Sequence, residues 1–261
     1  MSPKKYYGQH FLYQPYFFET IAKALEIQPE DRILEIGTGP ARLTETLLKA
    51  GAKLHGVEID REMEEPLSRL QSQYPNFTYA IQDFLTLSKD SLCEINKIVG
   101  NLPYHLTIPI LEKVIFEMDV NRAVFLLAEA TALRFLAKEG SREYSSITVM
   151  VQSYFTIHKL LRIDRKSFFP PPKIDSILVK LDKRRSNEIL TPNEFQLIKH
   201  LFSQRRKMII NSFPIDSGSK EKWTLKLEKL SINPQERIEN LSVKTLHHLV
   251  RAMVNNEPDP M

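Results

Sequence analysis

Five short runs rich in β-branched residues and leucine punctuate the first half of the chain: Arg32–Ile36, Lys53–Glu58, Phe77–Ile81, 97–100 and 123–127. Between them, apolar positions recur at helical spacing. The alternation predicts right-handed strand–helix–strand crossovers and a parallel sheet covered by helices on both faces, an α/β fold. After Val149 the rhythm changes. Residues 159–163 and 176–181 suit a further antiparallel pair, flanking the segment 168–172. From Lys183 onward the pattern is helical, with Pro192, Pro214, Gly218 and Pro234 as breakers. The predicted organisation is a body of residues 1–185 followed by a small all-helical domain, 186–261.

Composition narrows the class. The chain has 261 residues, 42% hydrophobic and 26% charged, which suits a soluble globular protein and excludes disorder. Its longest apolar stretch, 123–128, is far short of the roughly 18 residues of a bilayer helix, so no membrane association is expected. Lys4 and Lys5 have no apolar run behind them, so no secretory leader is expected. A lone Cys93 excludes an internal disulfide and a cysteine-rich zinc site, and suits a reducing cytoplasm. From Lys183 on there are 14 basic and 9 acidic side chains, a net +5, which leaves −1 for the first 182 residues. A basic end on a near-neutral body fits either a polyanion-binding appendage or a solvated helical face.

The first crossover carries Glu35-Ile36-Gly37-Thr38-Gly39-Pro40-Ala41-Arg42, a strand running into a glycine turn and a helix. Gly37 and Gly39 let backbone amides approach a ligand, and the helix start favours an anionic group. Arg42 stands where a dinucleotide fingerprint has its third glycine, which weakens a pyrophosphate site. A plain tight turn is the alternative. The second strand ends on Glu58, 21 positions after Gly37, where a doubly wound fold places an acceptor for ribose hydroxyls. The third ends on Gln82-Asp83-Phe84, an acceptor for an adenine amine beside an aromatic ring. Asp83 is equally a candidate helix cap. In that order, the three strand ends suit an adenosine-bearing cofactor with a small anionic tail.

The fourth strand delivers Asn101-Leu102-Pro103-Tyr104. An adenine exocyclic amine is a poor nucleophile because its lone pair is delocalised into the ring. The Asn101 side-chain oxygen and a backbone carbonyl held in place by Pro103 would accept its two hydrogens and localise that pair. This is electrostatic preorganisation. Tyr104 would stack on an extruded base.

These residues resemble a class I, Rossmann-like methyltransferase that uses S-adenosylmethionine on an adenine amine. Four further segments resemble the KsgA-type small-subunit ribosomal RNA adenine dimethyltransferase family: Gly8-Gln9-His10-Phe11-Leu12, Glu143-Tyr144-Ser145, Phe169-Pro170-Pro171-Pro172-Lys173-Ile174-Asp175-Ser176, and Phe202-Ser203-Gln204-Arg205-Arg206-Lys207-Met208. The resemblance implies that His10, Leu12, Gly37, Gly39, Glu58, Asp83, Phe84 and Asn101 bind the cofactor. It implies catalysis by Asn101, Leu102, Pro103 and Tyr104, and RNA contacts from Tyr104, Phe169, Pro170, Arg205, Arg206 and Lys207. His10 stands where the family usually has Asn, and is otherwise a core or capping histidine; the proline run is otherwise a rigid extended linker. Two departures stand out: Leu127-Ala128-Glu129-Ala130 replaces a Gln-x-Glu pattern ahead of Arg134, and Ser145 replaces a glycine.

The implied activity is transfer of methyl groups to the N6 amines of two adjacent adenosines in the 3′-terminal hairpin loop of small-subunit (16S) rRNA during ribosome biogenesis. The implied partner is an immature 30S-type subunit, and the expected state is a cytoplasmic monomer without a metal. Two alternatives remain at this point: an Erm-type enzyme acting on 23S rRNA, and a ribosome-assembly or transcription factor that kept the fold without turnover.

Overall fold

Strands whose two faces are both covered carry continuous apolar runs rather than alternating ones, and the longest run in this chain becomes an interior strand of the sheet. The structure is a computed structural model that describes residues 4–185, 189–213 and 219–254. Pro214 and Gly218, expected as breakers, lie outside those residues, as do residues 186–188 at the expected domain boundary. The strands are β1 (Phe11–Leu12), β2 (Arg32–Ile36), β3 (Lys53–Glu58), β4 (Phe77–Ile81), β5 (Lys97–Asn101), β6 (Arg122–Ala128), β7 (Phe155–Ile163), β8 (Phe168–Phe169) and β9 (Ser176–Lys183). The helices are α1 (Pro15–Leu25), α2 (Arg42–Lys49), α3 (Glu64–Gln73), α4 (Thr107–Glu117), α5 (Glu129–Phe135), α6 (Ser146–Tyr154), α7 (Pro192–Ser203), α8 (Ser219–Lys229) and α9 (Val243–Val254).

Seven strands form one sheet in the order β4-β3-β2-β5-β6-β9-β7. The first five are parallel neighbours, and β9 runs antiparallel to both β6 and β7. This is the Rossmann-like arrangement with the expected antiparallel pair. Chain order reverses between β2 and β5, and an open α/β sheet binds ligands in the crevice beyond its strand ends at that point. Ile33, Leu34, Ile98, Val99, Val124, Phe125 and Leu178 are buried at its centre, each contributing about 1.5–3 kcal/mol. Phe17, Phe18, Ile21 and Leu25 recur at helical spacing on α1 and close the same core, and Pro15 opens that helix where its missing N–H costs nothing. A separate two-residue pairing, β1 with β8, sets Phe11 opposite Phe169.

The chain divides into two compact units, and the division differs from the expected cut after Arg185. One unit comprises the described residues up to Ala132 together with Phe155–Lys183; the other comprises Leu133–Tyr154 and the described residues from Arg184 onward. The reason lies in α6. Ile147, Thr148, Val149, Met150, Val151 and Ser153 are all buried there, leaving no polar face, and α7 and α9 pack against it. The Tyr144 hydroxyl donates to the Leu241 carbonyl at 2.9 Å and Ser153 Oγ lies 2.6 Å from His247 Nε2. A Thr191–Glu194 capping box opens α7. Among the described residues no helix is long and apolar enough to cross a membrane.

Candidate active site

The carboxyl ends of β2, β3 and β5 open into a cavity whose walls include the segment 7–12, the glycine turn 37–39, Glu58, the segment 82–85 and the segment 101–104. His10, Leu12, Gly37, Gly39, Glu58, Asp83, Phe84, Asn101, Leu102, Pro103 and Tyr104, each singled out in the sequence, all line it. Local conformation explains the turn. Gly37 and Gly39 have φ of 75° and 52°, which glycine adopts without the Cβ penalty. A Cβ on Gly39 would also meet the Phe11 ring at 3.0 Å, so the strand β1 can close over the turn only because position 39 is bare.

The Gly39 N–H donates to Glu58 Oε2 at 2.8 Å, and the Asp60 N–H donates to Glu58 Oε1 at 2.9 Å. Glu58 is buried, and burial pushes its carboxyl upward against these bonds. Each oxygen keeps lone-pair capacity toward the cavity. Asp83 Oδ1 accepts from the Leu85 N–H at 2.9 Å. The residue therefore caps the turn that follows it, as one sequence alternative held, while lining the cavity. Behind the turn, Glu35 is fully buried, which pushes its carboxyl up to about 8, with the Glu58 carboxylate adding to the shift.

At the end of β5 the Asn101 Nδ2 donates to the His10 carbonyl at 2.8 Å. The donor half of the carboxamide is thereby occupied and Oδ1 is the half left to accept. The Pro103 carbonyl accepts from the Leu106 N–H and the Thr107 hydroxyl at 3.0 and 3.1 Å. The Tyr104 hydroxyl sits 3.0 Å from Ser176 Oγ, and burial raises the phenol above its usual range. His10 Nδ1 donates to the Pro170 carbonyl at 2.7 Å, and its ring stacks on Tyr104 with centroids 6.1 Å apart. Phe169 and Pro170 are outside the cavity lining; Phe169 is 63% exposed and Pro170 is joined to the site through His10.

In the second unit, the Arg205 guanidinium is ion-paired with Glu239 at 2.5 Å and donates to the Arg142 carbonyl, so it braces that unit. Arg206 and Lys207 are exposed, and Lys207 reaches Gln204 Oε1 at 3.1 Å. Among the described residues no group of three or more His, Cys, Asp or Glu could hold a metal ion.

Residues 1–254 match the family described as Ribosomal RNA adenine dimethylase. The chain belongs to that family. A ribosomal RNA small subunit methyltransferase A from Borreliella burgdorferi (strain ZS7) is 36% identical, over 94% of this chain and 86% of that protein. A dimethyladenosine transferase from Plasmodium falciparum superposes with a TM-score of 0.81 at 26% identity, covering 95% of this chain and 98% of the other. The 23S rRNA methyltransferase ErmE shares the fold, with a TM-score of 0.67 at 22% identity over 92% of this chain and 98% of its own. As a ribosomal RNA adenine dimethylase, the protein is an S-adenosylmethionine-dependent methyltransferase.

The cavity of this dimethylase fits that cofactor on its own evidence. Two buried oxygens of lining residues, Glu35 Oε2 and Thr38 Oγ1, have no hydrogen-bond partner, and nothing stands within 4 Å of a Cβ built on Gly37, so that glycine leaves open space at the turn. Three features escaped the sequence. Ala41 takes a left-handed conformation in the turn, at φ 62°. Glu35 is the buried acid beneath the turn; its place two residues before Gly37 was the available signal. Asp60 binds Lys4 Nζ at 2.8 Å and Gln9 Nε2 at 2.9 Å, tying down the segment 4–9 that walls the cavity. The two departures have local partners: Arg134 Nε donates to Ser145 Oγ at 3.2 Å, and Glu129 pairs with Arg162 at 3.0 Å.

Proposed function

We propose that the protein transfers methyl groups to the N6 amines of two adjacent adenosines in the 3′-terminal hairpin loop of small-subunit rRNA, acting in the cytoplasm as a monomer on an immature subunit. The observation that carries this reading is the Asn101 carboxamide, whose Nδ2 is held by the His10 carbonyl so that Oδ1 is available at the cavity wall. Bound S-adenosylmethionine supplies a methyl carbon on a positively charged sulfur, which leaves as a neutral thioether.

Glu58 accepts the ribose hydroxyls and Asp83 accepts from the cofactor's adenine amine. His10, Leu12, Gly39 and Phe84 complete that pocket, with Gly37 at the methionine portion. Asn101 Oδ1 and the Leu102 carbonyl accept the two hydrogens of the target amine. Its lone pair is thereby drawn out of conjugation and aimed at the methyl carbon. Acceptors fixed before reaction need no reorganisation, and one such group contributes about 10²–10³ in rate. Tyr104, steadied by Ser176, stacks on the extruded base with Phe169 and Pro170 at the pocket edge. Water takes the proton that nitrogen loses. Arg206 and Lys207 contact phosphate, which supplies sequence-independent affinity; Arg205 supports them from its Glu239 pair.

Purified protein, labelled cofactor and immature small subunits should yield N6,N6-dimethyladenosine at two neighbouring positions, read by mass analysis of digested rRNA. Label on large-subunit RNA instead, or on no adenosine, overturns the reading.

A further inference from the structure

Several cations of the first unit are neutralised by carboxylates: Lys97 pairs with Asp31 at 2.5 Å, Arg122 with Glu26 at 2.7 Å, and Lys180 with Glu26 at 3.3 Å. Arg42, which lines the cavity, and Lys166 are exposed and pair with no carboxylate among the described residues. The acids nearby are already engaged. Asp164 accepts from the Lys166 N–H, Asp175 pairs with Arg162, and Glu45 pairs with Lys49.

Tyr13 stands among these cations. It follows β1 directly, is 44% exposed, and donates its hydroxyl to the Lys166 carbonyl at 2.7 Å. Its own carbonyl accepts from Arg42 Nη1 at 3.4 Å. Arg42 lines the cavity and opens α2, so the tyrosine lies one residue from the cavity wall. The ring is exposed yet anchored at its far end, so stacking on it costs little side-chain entropy. An anchored, exposed aromatic among unpaired cations is what a single strand of nucleic acid recognises: a face for a base and charges for its phosphates.

We propose that Tyr13, Arg42 and Lys166 form a second RNA subsite that holds the nucleotide next to the target adenosine, Tyr13 stacking on its base and the two cations meeting the flanking phosphates. This rests on the rRNA methylation reading and adds a subsite to it. Removing the Tyr13 ring loses a base stack, whereas removing each cation loses one phosphate contact. These losses have different signatures. A stack is insensitive to salt; a phosphate contact is not.

The test uses the full chain with immature small subunits under steady-state methylation, and a labelled single-stranded RNA carrying two adjacent adenosines for direct binding. Tyr13→Ala should raise the KM for subunits about tenfold, leave kcat within about twofold, and leave the dissociation constant for S-adenosylmethionine unchanged. Tyr13→Phe keeps the ring and should restore the KM. Arg42→Ala and Lys166→Ala should each weaken RNA binding and flatten its salt dependence by about 0.7 in log–log slope. An unchanged KM in Tyr13→Ala overturns the proposal, as does a Tyr13→Phe variant as impaired as Tyr13→Ala. If the wild type binds the labelled RNA through this rim but methylates no adenosine, the parent reading fails and the subsite stands.

Discussion

Asn101 Nδ2 donates to the backbone carbonyl of His10 at 2.8 Å, across 91 positions of sequence. One bond thus fixes which end of the carboxamide is left to accept at the cavity wall, and it ties the amino-terminal segment to that side chain. Asn101→Ala should lower kcat by about 10²–10³ in single-turnover methylation. Asn101→Asp, which keeps an acceptor but removes the donor to His10, should lose nearly as much. Retained RNA binding in both variants checks that the fold is intact.

Glu58 takes an amide hydrogen on each oxygen, from Gly39 and from Asp60. Glu58→Gln turns one acceptor into a donor facing an N–H, so an amide is left unpaired beside the cavity at a cost of about 1–3 kcal/mol. Calorimetry should show S-adenosylmethionine binding weakened at least tenfold. RNA affinity should be unchanged.

Glu35 predicts a pH dependence of stability. Its folded value of about 8 lies above the ordinary 4.5, so between those limits the native state binds the extra proton. Its contribution is therefore fully present below about pH 4.5 and is lost as pH rises to about 8. Glu35→Gln cannot ionise. Its melting temperature should exceed the wild type's by several degrees at pH 8.5, and that gain should shrink toward zero or reverse at pH 5.

Ala41 sits at φ 62°, a conformation that costs a residue with a Cβ about 1–2 kcal/mol. Ala41→Gly relieves that strain and returns part of the gain as unfolded-chain entropy. A net rise of about 0.5–1 kcal/mol in unfolding free energy by denaturant titration is expected, with methyl transfer unchanged within about twofold.

The strands of the main sheet were legible because their apolar runs are long enough to carry a pattern. β2, β3 and β4 begin and end where the sequence puts them. The β1–β8 pair was not legible, since two residues have no period and their pairing spans 157 positions of chain between Phe11 and Phe169. The cavity lining was legible at strand ends, as at Glu58, Asp83 and Asn101. It was illegible where conformation decides: nothing in the residue type marks Ala41 as the left-handed position of the turn. Arg205 shows the same limit for charge, because a basic cluster in sequence cannot tell a phosphate ligand from the internal partner of Glu239.

The interleaving of the two units has a consequence for any attempt to separate them. Because Leu133–Tyr154 belongs with residues beyond Arg184, no single scission yields two intact halves. A fragment ending near residue 185 would carry α6 stripped of α7 and α9, baring Ile147, Met150 and Val151 and orphaning the Tyr144 hydroxyl. Such a fragment should aggregate. Excising Leu133–Tyr154 in turn needs a linker along the sheet edge, because Ala128 pairs with Ser176 while Phe155 pairs with Lys183, at opposite ends of β9.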